Sequence, residues 1–594
     1  MQLFRWGTFY KEHNRNIDRF ILYISLLSSI AIIFNIGYDT QVFTQQAFQK
    51  GIFLVFQVLC ILLSLRNILL LTHYRREGKM KFAEIFLLFY YLFVVFVHYA
   101  GYFKEISDFQ RIEWVYIGIF ALFLIEISKQ SLFFDKLFFN PTLLFVLSFI
   151  LLIFIGTVLL LLPNITKEIP LTLVDALFMA TSAVCITGLS SVDIANTFTS
   201  FGQTVLIILV QIGGLGIMTF TGFFGYFFSG GFSYKNQLMY TEILSENKLA
   251  SVIKSLLKIV LVTFFFEAIG AGLIFFNSDP TLFTSFSDRV SFAIFHAISS
   301  FCNAGFSTVP DGLLNPSLRN NFAMQLTIAF LFILGGLGFG IVFNFYALIK
   351  RWLINIYQRI FFHKPFVHKA WVISFNSRII AVTTFFLLMI GMVSFFVFEY
   401  YHTLDTKNSL GGKLTTAFFL SATPRSAGLS PVDLNDLALP SFILMVFLMW
   451  VGASPGSTGG GIKTTTFAVA TLNIVSLVRG KDRVEIFKRE VSADSIQRAF
   501  AVIVLSVVAL GLSLFILTIT DGSLGLKNLM FECVSAYGTV GLSLGVTEKL
   551  SSAGKMVLAC IMFIGRVGAL TLLVGLISNT KMKTYSYPQE KILF

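Results

Sequence analysis

Twelve apolar stretches of roughly membrane-spanning length run through this sequence, near 17–37, 50–72, 83–101, 113–131, 142–163, 200–228, 254–276, 321–349, 377–400, 440–478, 496–520 and 553–577. Hydrocarbon offers no water to a bare N–H or C=O, so such stretches are stable there only as helices that pair their own backbone. With 56% hydrophobic and 13% charged residues among 594, no soluble core could hide so much apolar surface. The 70 phenylalanines suit lipid-facing and interfacial helix surfaces. The expected class is an all-α polytopic membrane protein, with the lipid bilayer as its first partner.

The net charge of +13 gains its meaning from where the cations lie. Lys and Arg cluster at 5–19, 75–81, 350–378 and 479–498, whereas 101–114 ("GYFKEISDFQRIEW") is slightly acidic. That alternation is the positive-inside pattern and places the N-terminus in the cytoplasm. Topology therefore accounts for the basic total, and nucleic-acid binding is not expected. The opening "MQLFRWGTFYKEHNRNIDRF" shows no small-residue cleavage site, so the first span is expected to stay in the mature chain. Cys60, Cys185, Cys302, Cys533 and Cys560 show neither paired nor metal-like spacing.

Between the members of the last four pairs of spans lie shorter apolar pieces, near 172–187, 290–304, 412–427 and 526–540. They are too short to cross and read as re-entrant segments. Twelve crossings with four re-entrants put both termini inside. The pieces end alike, in "ITGLSSVD", "NAGFSTVPD", "SAGLSPVD" and "TVGLSLGVTE". Each has Gly, then Leu or Phe, then Ser, on Gly188, Gly305, Gly428 and Gly541. The acids Asp193, Asp311, Asp433 and Glu548 follow, and Phe178, Phe295, Phe418 and Phe531 stand ten residues before the glycines. The same tripeptide at Gly231–Ser233 and Gly511–Ser513 lacks both flanking signals, with Thr221 and Ala501 at the Phe position. The template is thus an internal repeat.

A short helix that enters the membrane and returns as extended backbone leaves carbonyls unpaired, so it must be buried in protein or line water. Four copies around one axis would converge those carbonyls into rings that replace a cation's hydration shell. Glycine supplies the backbone angles that side chains resist, and the acids would concentrate cations at the mouth. Close packing by small residues accounts for one or two such glycines, but not for four matched tails.

Taken together, "TSAVCITGLS", "QIGGLGIMTF", "FCNAGFSTVPD", "TPRSAGLSPVD", "GASPGSTGGGIKTTT", "SAYGTVGLS" and "FIGRVGALT" resemble the Trk/Ktr/HKT superfamily of potassium transporters, specifically the bacterial TrkH/KtrB-type pore subunit. The resemblance spans about 142–594. It implies four pseudo-symmetric helix–pore loop–helix repeats around one pore, at 141–235, 236–352, 353–482 and 483–594, the last including a cytoplasmic tail. Residues 1–140 form an N-terminal extension with four further transmembrane helices. Gly188, Gly305, Gly428 and Gly541 are implied to sit in a K⁺ selectivity filter, with neighbouring carbonyls from Thr187, Asn303, Ala304, Ala427, Thr539 and Val540. A Ser in the first position would raise Na⁺ permeation; the glycine at 188 supports K⁺.

The stretch "GASPGSTGGGIKTTT" interrupts 440–478 with Pro455 and five glycines, which no helix carries at low cost. The resemblance assigns an intramembrane gating loop to Gly456, Ser457, Thr458, Gly459, Gly460 and Lys463. A phosphate-binding loop needs Lys directly after its last Gly, but Ile462 intervenes, and no other enzyme motif appears. Arg566 is the one charge in a long apolar run. The resemblance puts it near the pore as a control on cation passage, and an ion pair with Glu267 or Glu532 is the structural alternative. Arg425 is expected to support the third pore loop. Gly213, Gly214, Gly335 and Gly336 are expected to serve packing or kinks. K⁺ is the implied transported ion, with no organic cofactor. A homodimer in the bacterial inner (cytoplasmic) membrane, with a separate cytosolic nucleotide-binding regulatory ring, is the implied assembly. The loops 350–378 and 479–498 and the tail "YPQEKILF" are candidate docking surfaces. A Na⁺-coupled or Na⁺-permeable symporter of the same architecture is the alternative, and a non-conducting sensor conflicts with intact filter glycines.

Overall fold

The computed structural model describes residues 2–38, 45–74, 82–99, 111–130, 141–216, 252–363, 374–405, 407 and 409–576. The far part of the expected 200–228 span, the control tripeptide at 231–233, residues 364–373 within 350–378 and the tail "YPQEKILF" lie outside the described residues. The described chain is helical, except for a two-residue hairpin pairing Glu485–Ile486 with Arg489–Glu490.

The first proline of the sequence is Pro141, so nothing breaks the early helices from within. Gln2–Gly37, Gln45–Tyr74, Phe82–Tyr99 and Ile112–Gln130 pack around one apolar core that includes Phe56, Leu63, Tyr91, Ile119 and Leu122. Phe56 and Tyr91 stack with ring centroids 4.0 Å apart. Charge inside this bundle is paired: Arg66 Nη1 donates to Glu126 Oε1 at 2.6 Å and to Asp18 Oδ1 at 3.4 Å. The bundle meets the rest of the chain where Asn164 Nδ2 donates to Ile36 O at 2.8 Å.

Four times thereafter the chain runs long helix, short helix, positive-φ turn, second helix. The first set is Pro141–Leu160, Leu173–Cys185 and Ser200–Leu215; the second is Val252–Asn277, Phe286–Phe301 and Phe322–Leu337. The third is Phe375–Glu399, Leu410–Ala422 and Leu439–Trp450, and the fourth is Ala493–Asp521, Leu526–Gly538 and Ser552–Val567. Local sequence sets the starts. Thr172, Ser285 and Ser409 cap three of the short helices by accepting from the N–H three residues on. The end of each long helix, or the turn after it, then grips the start of the second. Thr199 Oγ1 donates to Asn164 O at 2.8 Å, Asn321 Nδ2 to Asn277 O at 2.6 Å, Ala438 N to Glu399 Oε1 at 3.0 Å and Ser551 N to Asp521 Oδ1 at 2.7 Å.

Among the described residues six helices are long and apolar enough to cross a membrane by themselves. The second helices are not among them. Three have 16 residues and one has 12, so at 1.5 Å per residue the longest reach about 24 Å. The sequence reading expected one such interruption, in 440–478; the structure has four. Gly216, Gly338 and Gly568 stop the other three at φ 77, 88 and 89. The spans expected at 321–349 and 553–577 are accordingly split, into Phe322–Leu337 with Phe339–Phe362 and Ser552–Val567 with Ala569–Leu576. The local cause is a Gly-X-Leu/Val-Gly motif at 213–216, 335–338 and 565–568, whose last glycine takes an angle that L side chains resist.

Candidate functional site

Three short helices end in the same closure. Thr187 N, Ala304 N and Val540 N reach back to Ser182 O, Ser299 O and Ser535 O at 2.8, 2.7 and 2.9 Å. Ile186, Asn303 and Thr539 take the left-handed conformation, at φ 57, 61 and 47. In the third repeat Pro424 shifts the closure: Ala427 N bonds Thr423 O at 3.0 Å, and Ser426 takes φ 81. Two residues beyond each left-handed position the glycines are again positive, at φ 87, 72, 70 and 88, with a negative φ between. This alternation turns successive carbonyls toward one side, where a strand would alternate them. The partially negative helix ends stop within a few residues of the same glycines.

The glycines meet. A Cβ on Gly188 would lie 2.0 Å from Ala304 O, one on Gly305 2.8 Å from Ala427 O, one on Gly428 2.8 Å from Val540 O and one on Gly541 2.3 Å from Thr187 O. The four contacts close a ring in sequence order, each glycine resting against the carbonyl just before the next glycine. Lys555 Nζ and Asp175 Oδ1, 2.7 Å apart, tie the fourth repeat back to the first. Among the described residues no group of three His, Cys, Asp or Glu stands together for a metal. The oxygens that the four glycines meet in this ring are those of the backbone.

The rest of the tripeptide now has a physical role. Leu189, Phe306, Leu429 and Leu542 are buried anchors. Ser190, Ser307, Ser430 and Ser543 each bond backbone two residues on, at Val192, Val309, Val432 and Gly545. The acids belong to these outer turns. Asp193 and Asp433 accept from Ala195 N and Asn435 N at 2.9 Å, and Asp311, Asp433 and Glu548 are exposed.

Residues 451–463 pass beneath the ring and are bonded to the second and fourth repeats. Ser454 N and Thr458 N donate to Gly336 O and Gly335 O, at 3.1 and 3.4 Å, and Phe339 N donates to Gly456 O at 3.2 Å. Gly461 N donates to Gly565 O at 3.3 Å, and Gly460 N to Thr539 Oγ1 at 2.8 Å. Ser457 Oγ closes a local turn on Ser454 O at 2.6 Å. Two cations hold the loop's carbonyls: Lys463 Nζ bonds Gly459 O at 2.7 Å, and Arg566 Nη1 bonds Thr458 O. Arg566 Nη2 also bonds Gly213 O at 2.8 Å. The two carboxylates considered for it are engaged elsewhere, Glu267 with Gln211 Nε2 at 3.2 Å and Glu532 with Ser543 Oγ at 2.5 Å. Arg425 is buried off the ring, with Thr384 Oγ1 at 3.4 Å. Gly213, Gly335 and Gly565 lie where a Cβ would strike Val184 O, Phe301 O and Tyr537 O, at 2.3, 2.0 and 2.0 Å, so they admit the short helices at backbone contact.

Residues 115–584 match the family described as TrkH, cation transport protein. The chain belongs to the TrkH family. Its relatives include the Ktr system potassium uptake protein B of Vibrio alginolyticus, 36% identical over 449 residues, covering 75% of this chain and 93% of the relative. That of Bacillus subtilis (strain 168) is 36% identical over 459 residues, covering 76% and 96%. The potassium/sodium uptake protein NtpJ of Enterococcus hirae is 32% identical over 460 residues, covering 76% and 97%. The crystal structure of the potassium transporter TrkH from Vibrio parahaemolyticus shares the fold, with a TM-score of 0.59 at 16% identity, over 83% of this chain and 97% of that one. This is therefore a membrane transporter of the Ktr/TrkH potassium uptake family and not an enzyme. The TrkH match begins upstream of the quoted motifs, at residue 115 within the helix Ile112–Gln130.

The sequence reading missed the breaks at Gly216, Gly338 and Gly568. Their signal was present, since Arg566 occupies the X position of Gly-X-Leu/Val-Gly that Gly214 and Gly336 fill in the other copies. It named Thr539 for its carbonyl alone and missed Ser426: Ser426 Oγ donates to Thr539 O at 2.5 Å, and Thr539 Oγ1 accepts from Gly460 N at 2.8 Å.

Proposed function

We propose that this TrkH-family chain is the pore subunit of a bacterial potassium uptake system, passing K⁺ inward down its electrochemical gradient. The observation that carries the reading is the closed ring of Gly188, Gly305, Gly428 and Gly541 against Ala304 O, Ala427 O, Val540 O and Thr187 O. A K⁺ ion entering it exchanges water oxygens for carbonyl oxygens, with Asn303 and Thr539 contributing the carbonyls before them. Helix C-termini below and exposed acids above favour a cation at both ends of the passage. The domains are those expected from the repeats, 141–235, 236–352, 353–482 and 483–594, after an extension at 1–140.

The gate is the loop of Gly456, Ser457, Thr458, Gly459, Gly460 and Lys463 with Arg566. While Lys463 and Arg566 hold the carbonyls of Gly459 and Thr458, backbone blocks the route below the ring and two positive charges stand beside it. Opening requires those bonds to be exchanged. A second copy of the chain and a separate cytosolic nucleotide-binding ring complete the assembly, in the cytoplasmic membrane with both termini inside. The candidate surfaces for regulator contact are 350–378, 479–498 and the tail 587–594, and the exposed hairpin at 481–490 belongs to the second of these.

The test is growth of a K⁺-uptake-deficient bacterium at low K⁺. The wild-type chain restores growth, and Gly541→Ser lowers K⁺ preference over Na⁺. No rescue despite surface expression, or an unchanged preference in Gly541→Ser, defeats the reading. The name of the Enterococcus relative supports a second reading, Na⁺-permeable or Na⁺-coupled uptake. K⁺ uptake that needs external Na⁺ would select it.

A further inference from the structure

In three of the four outer turns the serine has a second neighbour that the ring does not explain. Nine residues before the ring glycines stand Met179, His296, Phe419 and Glu532. In three repeats this side chain touches the turn serine. Ser190 Oγ reaches Met179 Sδ at 3.4 Å, Ser307 Oγ lies 3.0 Å from His296 Nε2, and Ser543 Oγ donates to Glu532 Oε1 at 2.5 Å. Phe419 offers no acceptor, and Ser430 donates to Val432 O within its own turn.

Two of these contacts are built for strength. His296 Nδ1 lies 2.9 Å from Phe292 O, so a neutral ring carries its proton there and presents the Nε2 lone pair to the Ser307 hydroxyl. Glu532 is fully buried and gathers three donors: Ser543 Oγ, Leu544 N at 3.1 Å and Thr547 Oγ1 at 2.8 Å. Packing alone is served by an apolar side chain, as Met179 and Phe419 demonstrate. A buried carboxylate is costly unless its acceptors are filled, and here the outer turn fills them. The cyclic order of the ring sets repeats two and four opposite each other, so the two strong contacts brace one diagonal.

We infer that His296 and Glu532 are positioning residues for ion discrimination, bracing the outer turns so that the ring keeps its span. This rests on reading the ring as the selectivity filter. Each braced serine is two residues from a ring glycine, and the residue between is a buried anchor, Phe306 or Leu542. Slack in the turn therefore reaches the ring with little loss. A looser ring still passes cations but coordinates the preferred ion less well, so the expected loss is in preference and not in turnover.

The experiment measures uptake kinetics for K⁺ and Na⁺ in K⁺-uptake-deficient cells, normalised to surface protein. Glu532→Met and His296→Met copy the side chain that repeat one carries at this place. Each raises the KM for K⁺ about tenfold, the factor expected when a charge-assisted or buried bond is lost. The KM for Na⁺ and the maximal rate per molecule stay within about twofold. Ser543→Ala removes the bond from its other end and decides the matter if Glu532→Met fails to reach the surface. Glu532→Gln, which keeps an acceptor, restores most of the preference, and Ser543→Ala adds little to Glu532→Met. An unchanged ratio of the two KM values, or a fall in rate and surface level at constant ratio, overturns the inference while leaving the filter reading intact. A wild-type protein without K⁺ preference overturns the filter reading itself.

Discussion

The ring is uneven, and its unevenness predicts an order of damage. An alanine at any of the four glycines must hold a positive φ, which costs an L residue about 1–2 kcal/mol, or about tenfold in a population or rate. That share is common to all. The contact share is not. At Gly188 the new Cβ would sit 2.0 Å from Ala304 O, so the carbonyl must withdraw by about 1 Å to reach the 3.0 Å below which real Cβ contacts essentially never fall. A misplacement of that size in a coordinating group is worth about a hundredfold. Gly541 faces nearly the same penalty, at 2.3 Å from Thr187 O, whereas Gly305 and Gly428 start from 2.8 Å and need a shift of only a few tenths of an ångström. Gly188→Ala and Gly541→Ala should therefore lose more than a hundredfold of K⁺ uptake, and Gly305→Ala and Gly428→Ala nearer tenfold. The assay is initial-rate Rb⁺ or K⁺ uptake in K⁺-depleted cells, normalised to surface protein. Equal losses at all four positions, or the reverse order, would refute the geometric reasoning.

Three further outcomes follow from contacts around the ring. Arg566→Gln gives up charge-assisted bonds to Thr458 O and Gly213 O, each worth about 1.5–3 kcal/mol; basal Rb⁺ flux through proteoliposomes should rise at least tenfold, and an unchanged flux would separate Arg566 from the gate. Gly335→Ala puts a Cβ 2.0 Å from Phe301 O, and should sharply lower the monodisperse fraction on size-exclusion chromatography; a normal profile would show that the helices yield more easily than their backbone contact implies. Arg66→Met removes the 2.6 Å ion pair to buried Glu126 and should cost about 3 kcal/mol. It should lower the unfolding temperature by several degrees with the KM for K⁺ unchanged, and Arg66→Met with Glu126→Met should recover most of the loss.

The parts of this protein that obey local rules could be read directly from residues. Long apolar runs without proline became the N-terminal bundle, and Gly-Leu/Phe-Ser located the four outer turns. Third-repeat Pro455 and its glycines marked a break correctly. What escaped was relational. Gly216, Gly338 and Gly568 sit in apolar surroundings that read as continuous helix, and the Gly-X-Leu/Val-Gly spacing that marks them shows only when the three copies are set side by side. The partners of Arg566 are backbone carbonyls, which leave no trace in side-chain chemistry, so a search for acids offered Glu267 and Glu532 instead. The direction of the ring, with each glycine against the next repeat, depends on how four helices meet and not on any one of them.

A ring assembled from one polypeptide has a property that a ring of four identical subunits lacks. Where subunits are identical, any change at a coordinating position arrives in fourfold, and the site is either kept or rebuilt wholesale. Here Gly188, Gly305, Gly428 and Gly541 are separate letters in one gene product, supported by different neighbours: Met179, His296, Phe419 and Glu532. With the ring as the proposed filter, selectivity is open to adjustment a quarter at a time, one ligand or one support per substitution. Intermediate ion preferences become reachable by single steps, without passing through a collapsed pore.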